Sequence, residues 1–229
     1  MTPQPWLNSY PKGMPVEICT SQYGSLTDLL DQACKQHADR VACVAFGVSI
    51  TYRELDRYAR DLAAWLQSLS LPAESRVAVM MPNVPAYLVA LLGIFRSGCV
   101  LVSINPLFTP RELQVQLQDS GAQVIIVLEN FAHTLEQVQE CDALIHRIVV
   151  SPGDMLGRFK GMMVNAVVRH VKKSVPKWQL PKAKLWRHVL AEGHSMSWYP
   201  PDVDKHSLAA LQYTGGTTGM PKAAMLTHG

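Results

Sequence analysis

Between residues 76 and 150, short apolar runs alternate with stretches in which apolar residues return every three or four positions. Arg76–Met81, Val100–Ile104, Val124–Leu128 and Ile145–Val150 are rich in Val, Ile and Leu. Such continuous runs suit strands covered on both faces, where every second polar residue would otherwise be buried. Ala86–Ser97, Thr109–Asp119 and Thr134–Glu140 carry helical spacing, and Thr109-Pro110-Arg111-Glu112 supplies an N-cap, a proline at the first helical position and an acid at the third. Strands joined through single helices by short connections pair in parallel, because each connection must cross over the sheet. The pattern predicts an α/β fold: a doubly wound, mostly parallel sheet flanked by helices.

The flanking segments extend this plan. Ser25-Leu26-Thr27-Asp28 opens an amphipathic helix over residues 25–37, Val41–Ile50 reads as a strand, and Thr51-Tyr52-Arg53-Glu54 is a capping box before the stripe Leu55, Tyr58, Ala59, Leu62, Ala63, Leu66. Pro152, Gly153, Pro176, Pro181, Pro200 and Pro201 break the rhythm between 151 and 207, which reads as an excursion from the sheet rather than a second core. Strands resume at Leu208–Tyr213 and at Ala223–Thr227.

Several classes are excluded. The longest nearly uncharged apolar stretch, Val84–Phe95, stops at Arg96, short of the roughly 20 residues that span a bilayer. Residues 1–10 lack the basic and apolar regions of a secretory signal, so a cytoplasmic protein is expected. Five cysteines, at 19, 34, 43, 99 and 141, have neither metal-ligand spacing nor even number and read as buried free thiols. A compact monomer of this mass should expose about 10,000 Å².

The loop between the last two strands carries the chemistry: Tyr213-Thr214-Gly215-Gly216-Thr217-Thr218-Gly219-Met220-Pro221-Lys222-Ala223-Ala224. Three glycines can turn backbone N–H groups inward as an anion nest, three threonines add hydroxyl donors, and Lys222 adds a cation. That set suits a polyphosphate. It departs from a Walker A loop, since Lys222 follows Pro221 and precedes Ala223, so no helix opens at the lysine and a loop between two strands is the better picture. A glycine-rich turn with solvated threonines is the bland alternative, but a turn needs fewer of these residues.

This loop resembles the phosphate-binding signature of the acyl-adenylate-forming synthetases. Thr51-Tyr-Arg-Glu-Leu55, Arg76-Val-Ala-Val-Met-Met-Pro-Asn83, Asn105-Pro-Leu-Phe-Thr-Pro-Arg-Glu-Leu113 and Asp119-Ser-Gly-Ala122 are similar to bacterial long-chain fatty-acid–CoA ligases, as is Trp6–Pro11. The resemblance implies that residues 1–229 are part of an N-terminal domain, and that a fatty carboxylate attacks ATP, releasing pyrophosphate, before coenzyme A displaces AMP. It implies that Gly215, Gly216 and Gly219 hold the β- and γ-phosphates, that Thr214, Thr217 and Thr218 donate to them or assist Mg²⁺, and that Lys222 offsets charge on pyrophosphate. It also places the catalytic lysine beyond this chain, so the chain alone is expected to turn nothing over. Two departures stand out: Ala223 where the family has Gly, and Gly229 where it has Arg after Thr-His. His228, beside the loop in sequence, is a candidate for orienting substrate or an ordinary structural histidine; His37 and His133 read as helix-surface residues.

The net charge of +3 hides a division. Nine Lys/Arg and no Asp/Glu lie in residues 155–188, which leaves the rest of the chain at −6. On a helical wheel Arg158, Gly161, Asn165, Arg169 and Lys172 share one face, while Met155, Phe159, Met162, Met163, Ala166 and Val167 share another. Either the apolar face packs on the body and the cations are solvated, or Arg158, Lys160, Arg169, Lys172, Lys173 and Lys177 meet an anionic membrane surface on the inner face of the cell membrane. No nucleic-acid module is recognised, so nucleic acid is not an expected partner; fatty acid, ATP and coenzyme A are, with a homodimer left open. A non-catalytic binding or membrane-associating module on the same fold is the alternative to the ligase.

Overall fold

The computed structural model describes residues 5–17, 22–138, 141–214 and 222–229. Along the chain run α1 (Leu26–Gln36), β1 (Val41–Ala45), β2 (Val48–Thr51), α2 (Tyr52–Ser68), β3 (Arg76–Met80), α3 (Pro85–Ser97), β4 (Val100–Ile104), α4 (Pro110–Ser120) and β5 (Val124–Leu128). They are followed by α5 (Ala132–Glu136), β6 (His146–Val150), α6 (Arg158–Ala166), β7 (Lys184–Leu185), α7 (Trp186–His194), β8 (Leu208–Thr214) and β9 (Lys222–Thr227). Seven strands form one sheet in the order β7-β6-β5-β3-β4-β8-β9, parallel throughout except that β9 runs against β8. This is the doubly wound sheet that the apolar runs predicted.

The helix starts follow the predicted chemistry. Ser25 Oγ accepts from the Asp28 N–H at 3.1 Å, and Thr51 and Thr109 complete reciprocal boxes with Glu54 and Glu112. Each cap contributes about 1 kcal/mol by satisfying an otherwise orphaned N–H. Two layers cover the sheet. Leu62, Leu66, Val89, Phe95, Trp186 and Val189 of α2, α3 and α7 pack on one face, and Leu113, Leu117 and Leu135 of α4 and α5 on the other.

Three segments differ from the sequence reading. Val41–Ile50 is not one strand but a hairpin, turning at Phe46 and Gly47 with φ of 49° and 68°. Two successive positive φ values make the tight turn favoured between twisted strands; a phenylalanine is an unusual occupant, so no turn was legible. The helix placed at 134–140 begins earlier, as a 3₁₀ turn at Glu129–Phe131 leading into α5, because burial of Ala132 and Leu135 sets its phase; residues 139–140 lie outside the described residues. Within 151–207, Lys184–Leu185 returns to the sheet edge as β7, paired with β6.

The chain exposes 13,659 Å², well above the compact-monomer figure. Part of the excess is β9, where Met225 and Leu226 are exposed, and part is α6, where Phe159, Met162 and Met163 are 72%, 63% and 51% exposed. Four of the cysteines are free, Cys34 and Cys99 buried and Cys43 and Cys141 half-buried, and burial raises all four thiols. Raised thiols are poor nucleophiles. Cys19 lies outside the described residues.

Candidate active site

In a doubly wound sheet the crevice opens at the carboxyl ends of adjacent strands whose following helices go to opposite faces. Here those strands are β3, followed by α3 on one face, and β4, followed by α4 on the other. An open cleft of about 360 Å³ lies there, lined by Asn83, Tyr87, Asn105, Gln116, Gln212 and Tyr213 among others. β8 joins β4 on the same edge, so the chain leaves Thr214 for the loop beside this cleft.

The antiparallel pairing of β8 and β9 sets Thr214 opposite Lys222, Tyr213 opposite Ala223 and Gln212 opposite Ala224. Thr214 Oγ1 donates to the Lys222 carbonyl at 3.3 Å, closing the neck of the loop. The loop is therefore a connection between two strands, not the opening of a helix. Gly215, Gly216, Thr217, Thr218, Gly219, Met220 and Pro221 lie outside the described residues. The exposed Lys222 side chain stands at the neck.

Tyr213 fixes the strand end from which the loop departs. Its hydroxyl donates to Asp119 Oδ2 at 2.5 Å, tying β8 to the last turn of α4. Burial and the adjacent Asp119 carboxylate push its pKa well above the usual tyrosine range, so it remains a neutral donor. Gln116 is 1% exposed; its Nε2 donates to the Ser103 carbonyl at 3.1 Å, which fixes the amide orientation, because a carbonyl can only accept. Its Oε1, in the cleft wall, has no partner among the described residues. An orphaned buried acceptor costs about 1–3 kcal/mol, a cost that a donor arriving in the cleft would offset. Sequence reasoning missed Gln116, Asn83 and Asn105; Asn-Pro and Pro-Asn were legible only as strand ends.

His228 is not part of this site. It follows Thr227, which pairs with Leu208 at the far end of β8 from the loop. The ring is 6% exposed and edge-on to Phe95 at 5.3 Å. Burial lowers its pKa, with Asp204 opposing weakly. The folded state therefore binds its proton less readily than the unfolded chain, so the contribution to stability is present above pH about 6.5 and lost as pH falls below it. We expect the thermal midpoint of the wild type to drop between pH 7 and 5, and His228→Gln to flatten that slope in pH-resolved scanning calorimetry; an unchanged slope would show the burial to be inconsequential. His37 caps α1 and stacks on Tyr52, and His133 lies on α5; neither is near the cleft.

Of the two arrangements open to the basic segment, the structure does not show the one in which the apolar face packs on the body. Gly161 of α6 is buried against Gly153, where a Cβ on either residue would strike the other's carbonyl oxygen. Asn165 Oδ1 accepts from the Gly153 N–H at 2.7 Å, and Arg169, in the π-helical turn after α6, pairs with the 6%-exposed Glu129 at 2.7 Å. The polar face thus meets the body and the apolar face looks outward, with Arg158, Lys160, Lys172, Lys173 and Lys177 exposed around it. Arg169 is engaged inward, unlike the other candidate membrane cations. Lys160 Nζ lies 3.3 Å from where a Cβ on Gly47 would stand, which brings the hairpin tip, with Phe46 61% exposed, beside α6. Because α6 follows β6 at its carboxyl end, it shares a sheet edge with the cleft, roughly 12 Å along the sheet at 4.8 Å per strand.

The family described as AMP-binding enzyme matches residues 30–229. The chain is 49% identical over 224 residues to a long-chain-fatty-acid–CoA ligase of Salmonella typhimurium, covering 97% of this chain and 40% of that protein. It is 48% identical over 225 residues to one of Haemophilus influenzae, covering 98% and 40%. The chain thus spans about two fifths of the length of the curated relatives it matches. Among solved structures, the anthranilate CoA ligase AuaEII in complex with anthranoyl-AMP superposes with a TM-score of 0.72 over 92% of this chain and 36% of that one, at 19% identity. That likeness is one of fold.

Proposed function

Since the chain belongs to the family of AMP-binding enzymes, we propose that it forms the phosphate-binding part of a ligase that activates long-chain fatty acids with ATP. The acyl adenylate is then converted to acyl-CoA, with release of AMP and pyrophosphate. The observation that carries this reading is the Thr214–Lys222 loop, whose three glycines, three threonines and lysine suit a polyphosphate, departing beside the crevice at the β3–β4 switch point. Lys222 offsets charge on the departing pyrophosphate, the loop amides orient the β- and γ-phosphates, and Tyr213 holds the strand end from which they act. No group of three acidic, His or Cys side chains able to hold a metal stands among the described residues. They offer Mg²⁺ no protein cage.

The partition of labour is tested by titrating ATP and pyrophosphate into the 229-residue chain and assaying thioester formation in parallel. We expect weak ATP binding competed by pyrophosphate, and no thioester. Absence of both ligands from the chain would favour the non-catalytic module, and turnover near that of a curated relative would overturn the assignment of the remaining steps elsewhere.

The arrangement further supports docking on an anionic membrane at the cytoplasmic face. No helix among the described residues is long and apolar enough to cross a bilayer, yet α6 turns Phe159, Met162 and Met163 outward with cations around them, on the edge that holds the cleft. Such a face can lie in the headgroup region, each nearby Lys or Arg contributing about 1 kcal/mol at low salt. Co-sedimentation with phosphatidylglycerol vesicles is expected at low salt and weaker at high salt; a chain that dimerises without binding vesicles assigns this face to a second copy. Phe46 supplies a separate test. A non-glycine residue at positive φ costs about 1–2 kcal/mol, and asparagine tolerates it better. Phe46→Asn is expected to raise the thermal midpoint while lowering vesicle binding; a rise in both would remove the hairpin from the docking face.

A further inference from the structure

A second cavity, of about 650 Å³, lies behind α6, where α6, the 151–157 turn and the start of α7 meet Tyr58 of α2. Its walls carry Arg158, Arg169 and Arg187, with His170 at the rim and Asp154 as the single lining carboxylate. Two of these cations are uncommitted. Arg169 is held by Glu129, whereas Arg158 and Arg187 make no hydrogen bond or ion pair among the described residues, Asp154 giving Arg187 only a longer-range attraction. Asp154 itself is turned to the backbone, its Oδ2 accepting from the Ser151 N–H at 2.7 Å.

The cavity is built into the fold rather than left by loose packing. Gly153 and Gly161 allow α6 to approach the 151–157 turn to backbone contact, and Asn165 clasps the Gly153 N–H. These contacts hold Arg158, at the start of α6, across from Arg187, at the start of α7. Two guanidinium groups facing one space match the oxygens of a phosphate, which each can bind through paired N–H donors. Met162 lines the same cavity and is also part of the outward apolar face. A polar head in the cavity would therefore leave its chains against α6.

We infer that this cavity binds the phosphodiester headgroup of an anionic phospholipid. The inference rests on the membrane reading above but concerns a defined pocket, not the diffuse surface charge of Lys172 and Lys173. A zwitterionic headgroup would carry its own cation into a space lined by arginine and should bind less well.

The test uses dihexanoyl phosphatidylglycerol below its micelle concentration, titrated calorimetrically into the 229-residue chain, with dihexanoyl phosphatidylcholine and inorganic phosphate as separate arms. Saturable binding of phosphatidylglycerol is expected, at least tenfold tighter than of phosphatidylcholine or phosphate. Arg158→Gln with Arg187→Gln should weaken it at least tenfold, while Lys172→Gln with Lys173→Gln should leave it within twofold and lower only vesicle co-sedimentation. Both arginines are exposed and, among the described residues, unpaired, so near-ultraviolet circular dichroism should show the double variant folded. Inorganic phosphate binding as tightly as the lipid would make this a soluble-anion site and overturn the lipid assignment. No phosphatidylglycerol binding, or binding indifferent to the two arginines, overturns the pocket itself. Short-chain lipid bound without vesicle binding leaves the pocket standing and removes the membrane reading instead.

Discussion

Arg96→Ala is expected to destabilise the chain by about 3–5 kcal/mol, the range found when one partner of a buried ion pair is removed. Arg96 is 1% exposed in α3. Its Nε donates to Asp31 Oδ1 of α1 at 2.8 Å, one terminal nitrogen donates to the Asp56 carbonyl of α2 at 2.9 Å, and the other to Asp56 Oδ1 at 2.7 Å. The Arg96 carbonyl in turn accepts from Trp198 Nε1 at 2.9 Å. One guanidinium thus joins three helices, and its loss leaves two half-buried carboxylates facing each other. Lysine cannot replace the fork, since it brings a point charge on a flexible stem; Arg96→Lys should recover less than half of the loss. Against a usual domain stability of about 5–15 kcal/mol, the alanine variant should populate unfolded chain near 37 °C. Urea midpoints measure this, and a cost under about 1 kcal/mol would show the network to be dispensable.

The second large effect falls on chemistry rather than stability. Lys222→Ala, made in a chain as long as the curated relatives, should lower adenylate formation by about 10²–10³, the usual loss on removing one preorganised charge-stabilising group. The reason is timing. On the proposed function the ammonium would gain most as charge gathers on the departing pyrophosphate, so ground-state ATP affinity should fall much less than turnover. Stability should hardly change, because Lys222 is exposed and its pairing with Thr214 is made by the backbone. ATP–pyrophosphate exchange gives the rate and a thermal melt gives the control. Exchange within threefold of wild type would mean that the lysine does not meet the pyrophosphate.

Much of the scaffold was legible beforehand. The apolar strand runs and the Thr51 and Thr109 boxes are local signals, and local signals survive into the fold because each is satisfied within a few residues. The hairpin at Phe46-Gly47 was not legible, since a phenylalanine at positive φ contradicts local preference. Gln116 was not legible either. A glutamine on a helix is unremarkable until the register of α4 against β4 buries it beside a crevice.

By itself, then, the amino-acid sequence determined the parallel sheet, the helix boundaries at its capping boxes and the composition of a glycine- and threonine-rich loop between two strands. It also determined that residues 158–172 have an apolar and a basic side, because periodicity is a property of one helix alone. Which side meets the body is not such a property. The tertiary structure decided it, through the backbone approach of Gly161 to Gly153 and the pairing of Arg169 with Glu129, 40 residues away. A buried acid and a bare glycine surface outweigh the gain from covering Phe159 and Met162, so the apolar side faces outward and a cavity lined by arginine is left behind it.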